Sequence, residues 1–293
     1  MLDGVHGVLI VNPRASAVDE RRLERVRAEL GDVEVVHTEA PGHATELARD
    51  AEARADAVYV FSGDGGFNEA VNGLTGRVPV GFVPGGGTSV LPRALGLPRD
   101  PVAAARQLSL GRTRRISVGR ANGRRFLFSC GIGIDAEAVR RLDARGRRPD
   151  GKRPSDLVFA LTLGRLVLSR AYAKPVLEVD GLGRAAFALV ANLAPYSYAG
   201  RLGIRPHPLV TAEGGLDVVA PERFALRSLP RFATYVVRGR GADRAKGVLH
   251  AHDLSTLVIR CDRPLPLELD GEDVGDVTEV VAESERDALT VFV

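Results

Sequence analysis

Several residue types are scarce in this sequence, and their scarcity limits what the protein can be. There is no tryptophan, and aromatic residues make up 5% of the chain, so the basic and aromatic pattern of a nucleic-acid-binding module is missing. We therefore expect no nucleic acid among its partners. The two cysteines, Cys130 and Cys261, fall in different strand-like segments without zinc-type ligand spacing, which disfavours a disulfide scaffold and a structural zinc site. Two buried free thiols are expected instead.

Long hydrophobic runs are also missing. Every apolar stretch is interrupted well short of the roughly 18 residues that suggest a transmembrane helix, and residues 1–11 have neither a basic start nor a cleavage-like site. These absences predict a cytoplasmic protein. A composition of 45% hydrophobic and 26% charged residues is typical of a soluble globular chain, and the net charge of +3 still allows an acidic partner such as a nucleotide or an anionic membrane.

The length of 293 residues suits two domains, and the pattern of elements changes near the middle. Strand-like and helix-like segments alternate in the first part, which predicts an α/β domain with parallel strands over residues 1–115. The expected strands are 7–11, 33–37, 57–61 and 80–83, and the expected helices are 16–30, 43–53, 67–74 and 102–108.

Short strand-like runs dominate from residue 116 onward, which predicts a mostly β domain over residues 116–293. The expected strands are 116–119, 125–129, 176–179, 185–192, 216–220, 256–261 and 265–269, with helices at 135–147, 156–170 and 226–238. The apolar run 288–293 is expected to form a strand or a tail that docks on the N-terminal domain.

Two glycine-rich segments follow predicted strands of the first domain. Residues 62–66 read Ser-Gly-Asp-Gly-Gly and open a helix, and residues 84–89 read Pro-Gly-Gly-Gly-Thr-Ser. Exposed N–H groups at such strand ends favour phosphate, because glycine lets the backbone approach closely. Asp64 is unusual there, because a carboxylate beside phosphates needs a divalent cation or a proton to remove. A turn residue or helix N-cap explains Asp64 equally well when the tetrapeptide is taken alone.

Neither segment matches the common nucleotide motifs. The Walker pattern ending in Gly-Lys-Ser/Thr is missing, and no G-x-G-x-x-G fingerprint follows the first strand. A P-loop or Rossmann enzyme is therefore disfavoured.

The motifs taken in order resemble the diacylglycerol kinase catalytic family, which includes bacterial lipid kinases and sphingosine kinases. The resemblance rests on Asn12-Pro13, on "HTEAPGHATELA" from residue 37, on "SGDGGFNEAVNGL" and "PGGGTSVLPRALGLP", and on "SCGIGIDAEAV" and "LELDGEDVG". It spans nearly the whole chain. It implies an N-terminal α/β nucleotide-binding domain followed by a C-terminal β-sandwich, with ATP and Mg²⁺ as cofactors and a lipid substrate of the diacylglycerol type.

The resemblance also implies roles for particular residues. Asp270 is expected to be the general base, with Asp64 in a network of metal and water, and Glu272 of the same Asp-Gly-Glu motif is expected to be catalytic as well. In sphingosine kinases the residue matching Asp64 has the role of base. The residues expected to bind nucleotide are Asn12, Thr38, Gly63, Gly65, Gly66, Asn68, Glu69, Gly86, Gly87 and Thr88. Glu213 and Asp217 match a structural metal segment of the bacterial proteins.

Two positions depart from the family pattern. Gly66 stands where the family has threonine in Gly-Gly-Asp-Gly-Thr, and Val90 replaces a carboxylate that supports magnesium in some members. These departures leave a catalytically inactive nucleotide-binding regulator open, and an NAD kinase-like enzyme is a further alternative. Asp270 also has a structural interpretation, because Asp-Gly is a strong hairpin signal.

The lipid substrate raises the question of membrane contact. Residues 140–153 contain seven basic and two acidic residues, which suits peripheral contact with the inner face of an anionic membrane, although a solvated helix face explains them as well. A homodimer stays open.

Overall fold

The computed structural model describes residues 6–144, 146, 156–199, 202–207, 209–224 and 246–293. The chain divides into two compact units. Unit 1 is Met1–Ser117 together with Arg286–Val293, and unit 2 is Val118–Glu285. Among the described residues, no helix is both long enough and apolar enough to cross a bilayer.

Unit 1 alternates strands and helices as the sequence predicts. Its strands are β1 (Gly7–Val11), β2 (Val33–His37), β3 (Ala57–Ser62) and β4 (Val80–Pro84), and its helices are α1 (Glu20–Leu30), α2 (His43–Arg54), α3 (Asp64–Gly73), α4 (Val90–Ala94) and α5 (Pro101–Leu108).

The four strands pair in parallel in the order β2-β1-β3-β4. Every residue of β1, β3 and β4 is buried, as expected for a parallel sheet covered on both faces. Helix α1 begins later than predicted because the Asp19 carboxylate accepts a hydrogen bond from the Arg22 N–H and caps it there. Helix α3 begins earlier than predicted, directly at Asp64.

Unit 2 is rich in strands and its main pairings are antiparallel. Its elements are β5 (Thr113–Ala121), β6 (Arg124–Phe126), β7 (Ser129–Ile132), α6 (Ile134–Asp143), α7 (Asp156–Leu168), β8 (Leu177–Val179), β9 (Gly183–Ala185), β10 (Ala188–Ala191), β11 (Ser197–Ala199), β12 (Leu202–Ile204), β13 (Leu216–Pro221), β14 (Val248–Leu254), β15 (Thr256–Leu269) and β16 (Glu272–Phe292). The predicted helix at 226–238 lies outside the described residues.

The strands of unit 2 follow the order β14-β13-β10-β7-β15-β16, with β8 beside β15 and β9 beside β8. The α/β unit followed by a strand-rich unit confirms the predicted fold class. The two strands predicted at 256–261 and 265–269 form one strand, β15, whose pairing with β16 shifts register between Arg260 and Leu265. Cys130 on β7 is buried and Cys261 on β15 is half-buried; both are free, and burial raises the pKa of each thiol.

Two strands carry the chain from one unit into the other. Strand β5 begins in unit 1 and ends in unit 2, and β16 begins in unit 2 and ends in unit 1. The last part of β16 pairs in parallel with β4 through Val291 and Val80. The Phe292 ring also stacks on Tyr59, with 5.4 Å between the ring centroids. The terminal apolar run is therefore a strand of unit 1.

Candidate functional site

The carboxyl ends of the parallel strands carry most of the residues expected to bind nucleotide. Asn12 follows β1 and Thr38 follows β2, and backbone hydrogen bonds hold them at the same edge: the Asn12 N–H donates to the Phe61 carbonyl and the Thr38 N–H to the Val11 carbonyl. The Asn12 side-chain Oδ1 accepts a hydrogen bond from the Arg14 N–H. Ligands of open α/β sheets gather at this edge.

Two glycine loops follow the adjacent strands β3 and β4. The first glycine loop is residues 62–66 and the second is residues 84–89. The Gly85 N–H donates to the Ser62 carbonyl at 2.7 Å, and a Cβ atom placed on Gly86 would lie 2.9 Å from the Gly63 Cα. The two loops are therefore in backbone contact. Only glycine at position 86 allows this approach without a shift.

Several amide groups of these loops are uncommitted. Within the described part of the chain, the N–H groups of Gly65, Gly66, Gly86, Gly87 and Thr88 make no hydrogen bond. Gly65 and Gly66 are in the first turn of α3, where helical N–H groups have no partner four residues earlier. Uncommitted N–H groups on two touching loops form a concave set of donors suited to phosphate oxygens.

Two arginines reach the second glycine loop from outside it. Arg93 Nη1 donates to the Thr88 carbonyl at 3.4 Å, and Arg99 Nη2 donates to the Gly87 carbonyl at 3.2 Å. Arg93 is half-buried and Arg99 is exposed. Their positive charge would favour a polyphosphate at the loops. Sequence motifs did not single out either residue for this role.

Asp64 is tied to the segment that follows the second glycine loop. Its Oδ2 accepts a hydrogen bond from the Val90 N–H at 3.0 Å, and its Oδ1 accepts one from the Leu91 N–H at 3.1 Å. Asp64 is the first residue of α3, and Gly63 occupies the N-cap position. Its carboxylate therefore caps the short helix α4, an arrangement that neither sequence-based interpretation contained.

Gly66 and Ser62 share one small space in the first glycine loop. A Cβ atom on Gly66 would lie 2.1 Å from Ser62 Oγ and 2.8 Å from Ser62 Cβ. Ser62 is 1% exposed, and its hydroxyl has no hydrogen-bond partner in the described part of the chain. The Ser62 side chain thus fills the volume that a threonine at position 66 would need.

Asn68 and Glu69 lie further along α3. Asn68 is fully buried, and its backbone carbonyl accepts a hydrogen bond from Asn72 Nδ2 at 2.9 Å. The Glu69 carbonyl accepts a hydrogen bond from the Thr45 hydroxyl at 2.8 Å. The Glu69 contact therefore joins α3 to α2, whereas the Asn68 contact lies within α3.

Asp270, in unit 2, occupies a hairpin turn. Asp270 and Gly271 both have positive φ angles, 51° and 79°, and Leu269 pairs with Glu272 across them. Such a two-residue turn favours Asp-Gly. The Asp270 carboxylate accepts hydrogen bonds from the N–H groups of Leu127, Phe128 and Ser129 at 2.7, 2.8 and 3.1 Å, and the residue is 2% exposed. Three N–H donors stabilise its charged form.

The other predicted acidic residues are placed as follows. Glu272 is half-buried, and its Oε2 lies 3.0 Å from Arg124 Nη2 in an ion pair. Glu213 is exposed, whereas Asp217 is buried with its Oδ1 2.6 Å from His252 Nδ1. In the described residues, no three His, Cys, Asp or Glu side chains come together as metal ligands. The carboxylates present therefore do not form a protein cage for a metal ion.

A second acidic cluster lies near the Asp270 turn and was missed by the sequence motifs. Tyr196 Oη lies 2.8 Å from Asp135 Oδ2 and 2.9 Å from Glu268 Oε1. Burial raises the pKa of Glu268, and the neighbouring Asp135 raises it further; burial also raises the pKa of Asp135. Asp135 and Glu268 stand inside the quoted motifs "SCGIGIDAEAV" and "LELDGEDVG", but nothing local indicates that Tyr196 joins them.

A parallel α/β unit continued by a strand-rich unit is a fold that solved structures of other proteins share. A crystal structure of a diacylglycerol kinase from Bacillus anthracis covers 100% of this chain and 98% of its own, with a TM-score of 0.74 at 21% identity. The structure of an NAD kinase from Archaeoglobus fulgidus in complex with ATP covers 98% of this chain with a TM-score of 0.51 at 15% identity. These likenesses show the fold.

Sequence comparison adds a match to one family model. The model of the diacylglycerol kinase catalytic domain matches residues 6–121 of this chain. A diacylglycerol kinase from Bacillus subtilis is 27% identical over 248 residues, which is 80% of this chain and 77% of that protein. A Streptococcus pneumoniae protein is 31% identical over 153 residues, and the match spans about half of that protein, 52%.

Proposed function

We propose that this protein is an ATP-dependent lipid kinase that transfers the γ-phosphoryl group of ATP to the hydroxyl of a diacylglycerol-type lipid. The observation that carries the proposal is the pair of touching glycine loops, with uncommitted N–H groups, at the carboxyl edge of the parallel sheet. The family match and the name of the Bacillus subtilis relative support the choice of lipid.

The phosphates of ATP would lie on the two loops. The N–H groups of Gly65, Gly66, Gly86 and Gly87 are positioned to donate to phosphate oxygens, and Arg99 adds positive charge beside them. Phosphoryl transfer depends mainly on positioning and on neutralising charge, both of which such donors supply. The chain carries few lysines, so arginine is the cation available for this task.

A magnesium ion would be held by the nucleotide more than by the protein. Both carboxylate oxygens of Asp64 already accept backbone hydrogen bonds, and those of Asp270 accept three. When bound to ATP, Mg²⁺ neutralises charge on the β- and γ-phosphates. The residues of this chain contribute the amide donors and arginines described above.

The proposed base is Asp270, with Asp64 as the alternative. Asp270 would accept the proton of the lipid hydroxyl while the oxygen attacks the γ-phosphorus, with ADP as the leaving group. Its three backbone hydrogen bonds fix the carboxylate in place. The same bonds give it a structural role, so its test must measure folding as well as rate.

The first experiment incubates the protein with Mg²⁺, γ-labelled ATP and a panel of diacylglycerol, sphingosine, polyprenol and NAD. We expect a labelled lipid with the native protein and a strong loss with Asp270→Asn. Labelled NAD would favour the NAD kinase-like alternative, which shares the fold. ATP binding without any labelled product would favour a nucleotide-binding regulator, an alternative that the departures at Gly66 and Val90 raise.

The lipid substrate also calls for contact with a membrane surface, and we propose that helix α7 makes it. Leu161 and Leu168 on α7 are 56% and 62% exposed, and Arg165 is exposed on the same face. Residues 157–177 contain three basic residues and no acidic one. Exposed leucines flanked by basic charge fit an anionic lipid surface.

The basic segment 140–153 raised the question of membrane contact. Its residues 145 and 147–153 lie outside the residues that the structure describes. Arg140 pairs with Asp273 and Asp276, and Arg141 pairs with Glu137. These two arginines are thus already neutralised within unit 2, whereas the exposed face of α7 combines apolar and basic side chains.

Binding to vesicles of anionic lipid and to vesicles of neutral lipid separates the electrostatic contribution of the basic side chains from the apolar contribution of the leucines. We expect Leu161→Gln together with Leu168→Gln to lower binding to anionic vesicles by about tenfold, since each leucine buries apolar area in the interface. Leu110→Gln, at a leucine that is 60% exposed in unit 1, is the matched control. Equal binding by all three proteins would reject α7 as the docking element.

A further inference from the structure

Asp135, Tyr196 and Glu268 form a cluster in which one phenol lies between two carboxyl groups. If both carboxyl groups are ionised, the single phenol proton faces two acceptors. The phenol oxygen is within hydrogen-bond distance of both, at 2.8 and 2.9 Å, yet a phenol carries one proton and can donate to one acceptor at a time. The carboxyl oxygen that does not accept the phenol proton must therefore carry a proton itself, because two lone pairs that face each other at such a distance repel. The geometry therefore requires one shared proton.

The position of that proton follows from burial. Glu268 is 1% exposed, whereas Asp135 is half-buried, so ionisation costs more at Glu268. A protonated Glu268 donates from Oε1 to the phenol oxygen, and the phenol donates to the Asp135 carboxylate. The remaining oxygen, Glu268 Oε2, accepts a hydrogen bond from the Gly271 N–H at 2.7 Å. The phenol oxygen, Asp135 Oδ2 and both oxygens of Glu268 then each have a compatible partner.

The backbone leaves room for this cluster. A Cβ atom on Gly131 would lie 2.8 Å from Glu268 Oε1 and 2.9 Å from Asp135 Oδ2. Gly131 pairs with Glu268 across β7 and β15, so a side chain there would force the carboxyl groups apart. Glycine at this position permits the close approach of both carboxyl groups.

The cluster is connected to the proposed base through the turn. Glu268 binds the N–H of Gly271, and Gly271 forms the turn with Asp270, whose carboxylate holds the segment from Leu127 to Ser129. We propose that Glu268 and Asp135 share one proton through the Tyr196 hydroxyl, and that this protonated cluster holds the Asp270–Gly271 turn in place. Glu268 and Tyr196 are thus positioning residues, and this role in catalysis rests on the function proposed for Asp270.

Loss of the shared proton is expected to disturb the turn. When both carboxyl groups are ionised, one of them must move away from the phenol oxygen. If Glu268 moves, its hydrogen bond with the Gly271 N–H is disturbed. The other titratable groups that face the cluster are Cys130, Asp270 and His207, whose ring stacks on Tyr196. Burial lowers the pKa of His207 to about 4 and raises that of Cys130, so neither is expected to ionise near neutral pH.

The decisive variants are Glu268→Gln and Tyr196→Phe in the full chain. Glutamine keeps one acceptor for Gly271 and one donor for the phenol, and therefore imitates the protonated cluster at every pH. Phenylalanine removes the bridge. Glu178→Gln, at an exposed position on β8, is the control.

Infrared spectroscopy and hydrogen exchange test the cluster without any enzymatic activity. We expect a protonated-carboxyl band at neutral pH that is present in the native protein and in Glu178→Gln and is missing in Glu268→Gln. We also expect amide exchange at Leu127, Phe128 and Gly271 to accelerate at least about tenfold in Tyr196→Phe at alkaline pH. A native protein without the band, or unchanged exchange in Tyr196→Phe, would overturn the proposal.

The pH dependence of lipid phosphorylation tests the link to catalysis. We expect turnover of the native protein to fall by about tenfold per pH unit above the raised pKa of Glu268, and this alkaline fall to be missing in Glu268→Gln. An identical fall of turnover at alkaline pH in the native protein and in Glu268→Gln would contradict the positioning role of Glu268. If no lipid is phosphorylated at any pH, the proposed function fails, while the infrared and exchange results still decide whether the shared proton holds the turn.

Discussion

The glycine loops of unit 1 and residues 127–129 of unit 2 both contain consecutive backbone N–H groups that do not take part in the hydrogen bonding of regular secondary structure, but the two regions use them differently. In the loops, the N–H groups of Gly65, Gly66, Gly86 and Gly87 have no partner in the described part of the chain. In unit 2, three consecutive N–H groups bind one internal carboxylate, that of Asp270. The first arrangement leaves its donors open, as the proposed phosphate binding requires, whereas the second already contains an anionic group of the chain itself.

This difference separates binding from positioning. N–H groups that are open at a strand end supply affinity for phosphate, because their hydrogen bonds to the ligand compensate for the water that they lose on binding. Donors that are filled by a buried carboxylate instead fix the geometry of a turn. Changes in unit 1 are therefore expected to affect nucleotide affinity first, and changes at the turn to affect rate and folding together.

The largest effect is expected for Asp270→Asn. Asparagine has a single acceptor oxygen, so at least one of the three N–H groups loses its partner, and removal of the proposed base adds to the loss. We expect turnover to fall on the order of 10² to 10⁴ and the free energy of unfolding to fall by about 3 kcal/mol. Urea unfolding and steady-state kinetics measure the two quantities. Near-normal turnover would exclude Asp270 as the base.

Gly86→Ala should weaken nucleotide binding next. The new Cβ would lie 2.9 Å from the Gly63 Cα, a backbone atom that cannot rotate away, so the two loops must separate. We expect ATP to bind about 10- to 100-fold more weakly by calorimetry. The control is Gly87→Ala, whose Cβ would meet nothing within 4 Å. Equal effects of the two substitutions would show that loop contact does not set affinity.

A smaller effect, on stability, is expected from substitutions in the space that Ser62 and Gly66 share, and a double variant tests its cause. Gly66→Thr alone should destabilise the protein by about 1–3 kcal/mol, because its Cβ would overlap the Ser62 side chain. Ser62→Gly together with Gly66→Thr should recover most of that loss. Thermal unfolding of the two single variants and the double variant measures the coupling. Additive effects would contradict the proposed exchange of volume between these positions.

The smallest effect contrasts the pH dependence of the two units. Glu52 in unit 1 accepts hydrogen bonds from the N–H groups of Thr75, Gly76 and Arg77 and from the Thr75 hydroxyl. Although burial opposes it, these bonds lower the pKa of Glu52. Its contribution is present above the ordinary pKa of 4.5 and is lost as pH falls through the lowered value.

Glu268 in unit 2 has the opposite sign. Its raised pKa gives stability that is fully present below its ordinary pKa and is lost as pH rises through the raised value. Glu52→Gln should therefore flatten the acid side of the stability curve, and Glu268→Gln the alkaline side. Unfolding measured from about pH 2 to about pH 9 would reveal both slopes, because the Glu52 contribution is lost below its ordinary pKa. A steeper acid limb in Glu52→Gln would contradict the assignment.

The sequence predicted the parallel strands of unit 1 to within one residue, because short apolar runs bounded by polar or glycine residues define buried strands. It missed α4, a helix of five residues that contains Pro92 and follows Ser89 in a left-handed conformation. It also divided β15, since a shift in register interrupts the pairing but not the strand. Local patterns thus located the regular elements and failed where their continuation depends on tertiary contacts.

The candidate site was predicted in part. Glycine spacing indicated both loops, and the Asp-Gly pair indicated the turn at Asp270. The contacts of Asp64 with Val90 and Leu91 cross 26 and 27 residues of sequence, and those of Tyr196 cross 61 and 72. No short motif contains such distances, so the roles of these carboxylates in capping and proton sharing became visible only in the folded chain.

The return of β16 to unit 1 has a consequence for the order of folding during synthesis. Among the described residues, the outer edge of β4 pairs with the final part of β16 through Val80 and Val291, and the Tyr59 ring stacks on Phe292 of the same segment. While a ribosome synthesises residues 118–285, the parallel sheet therefore has an unpaired edge. Such edges can pair with other strands, so we expect β4 to be open to non-native pairing until residues 286–293 have been synthesised.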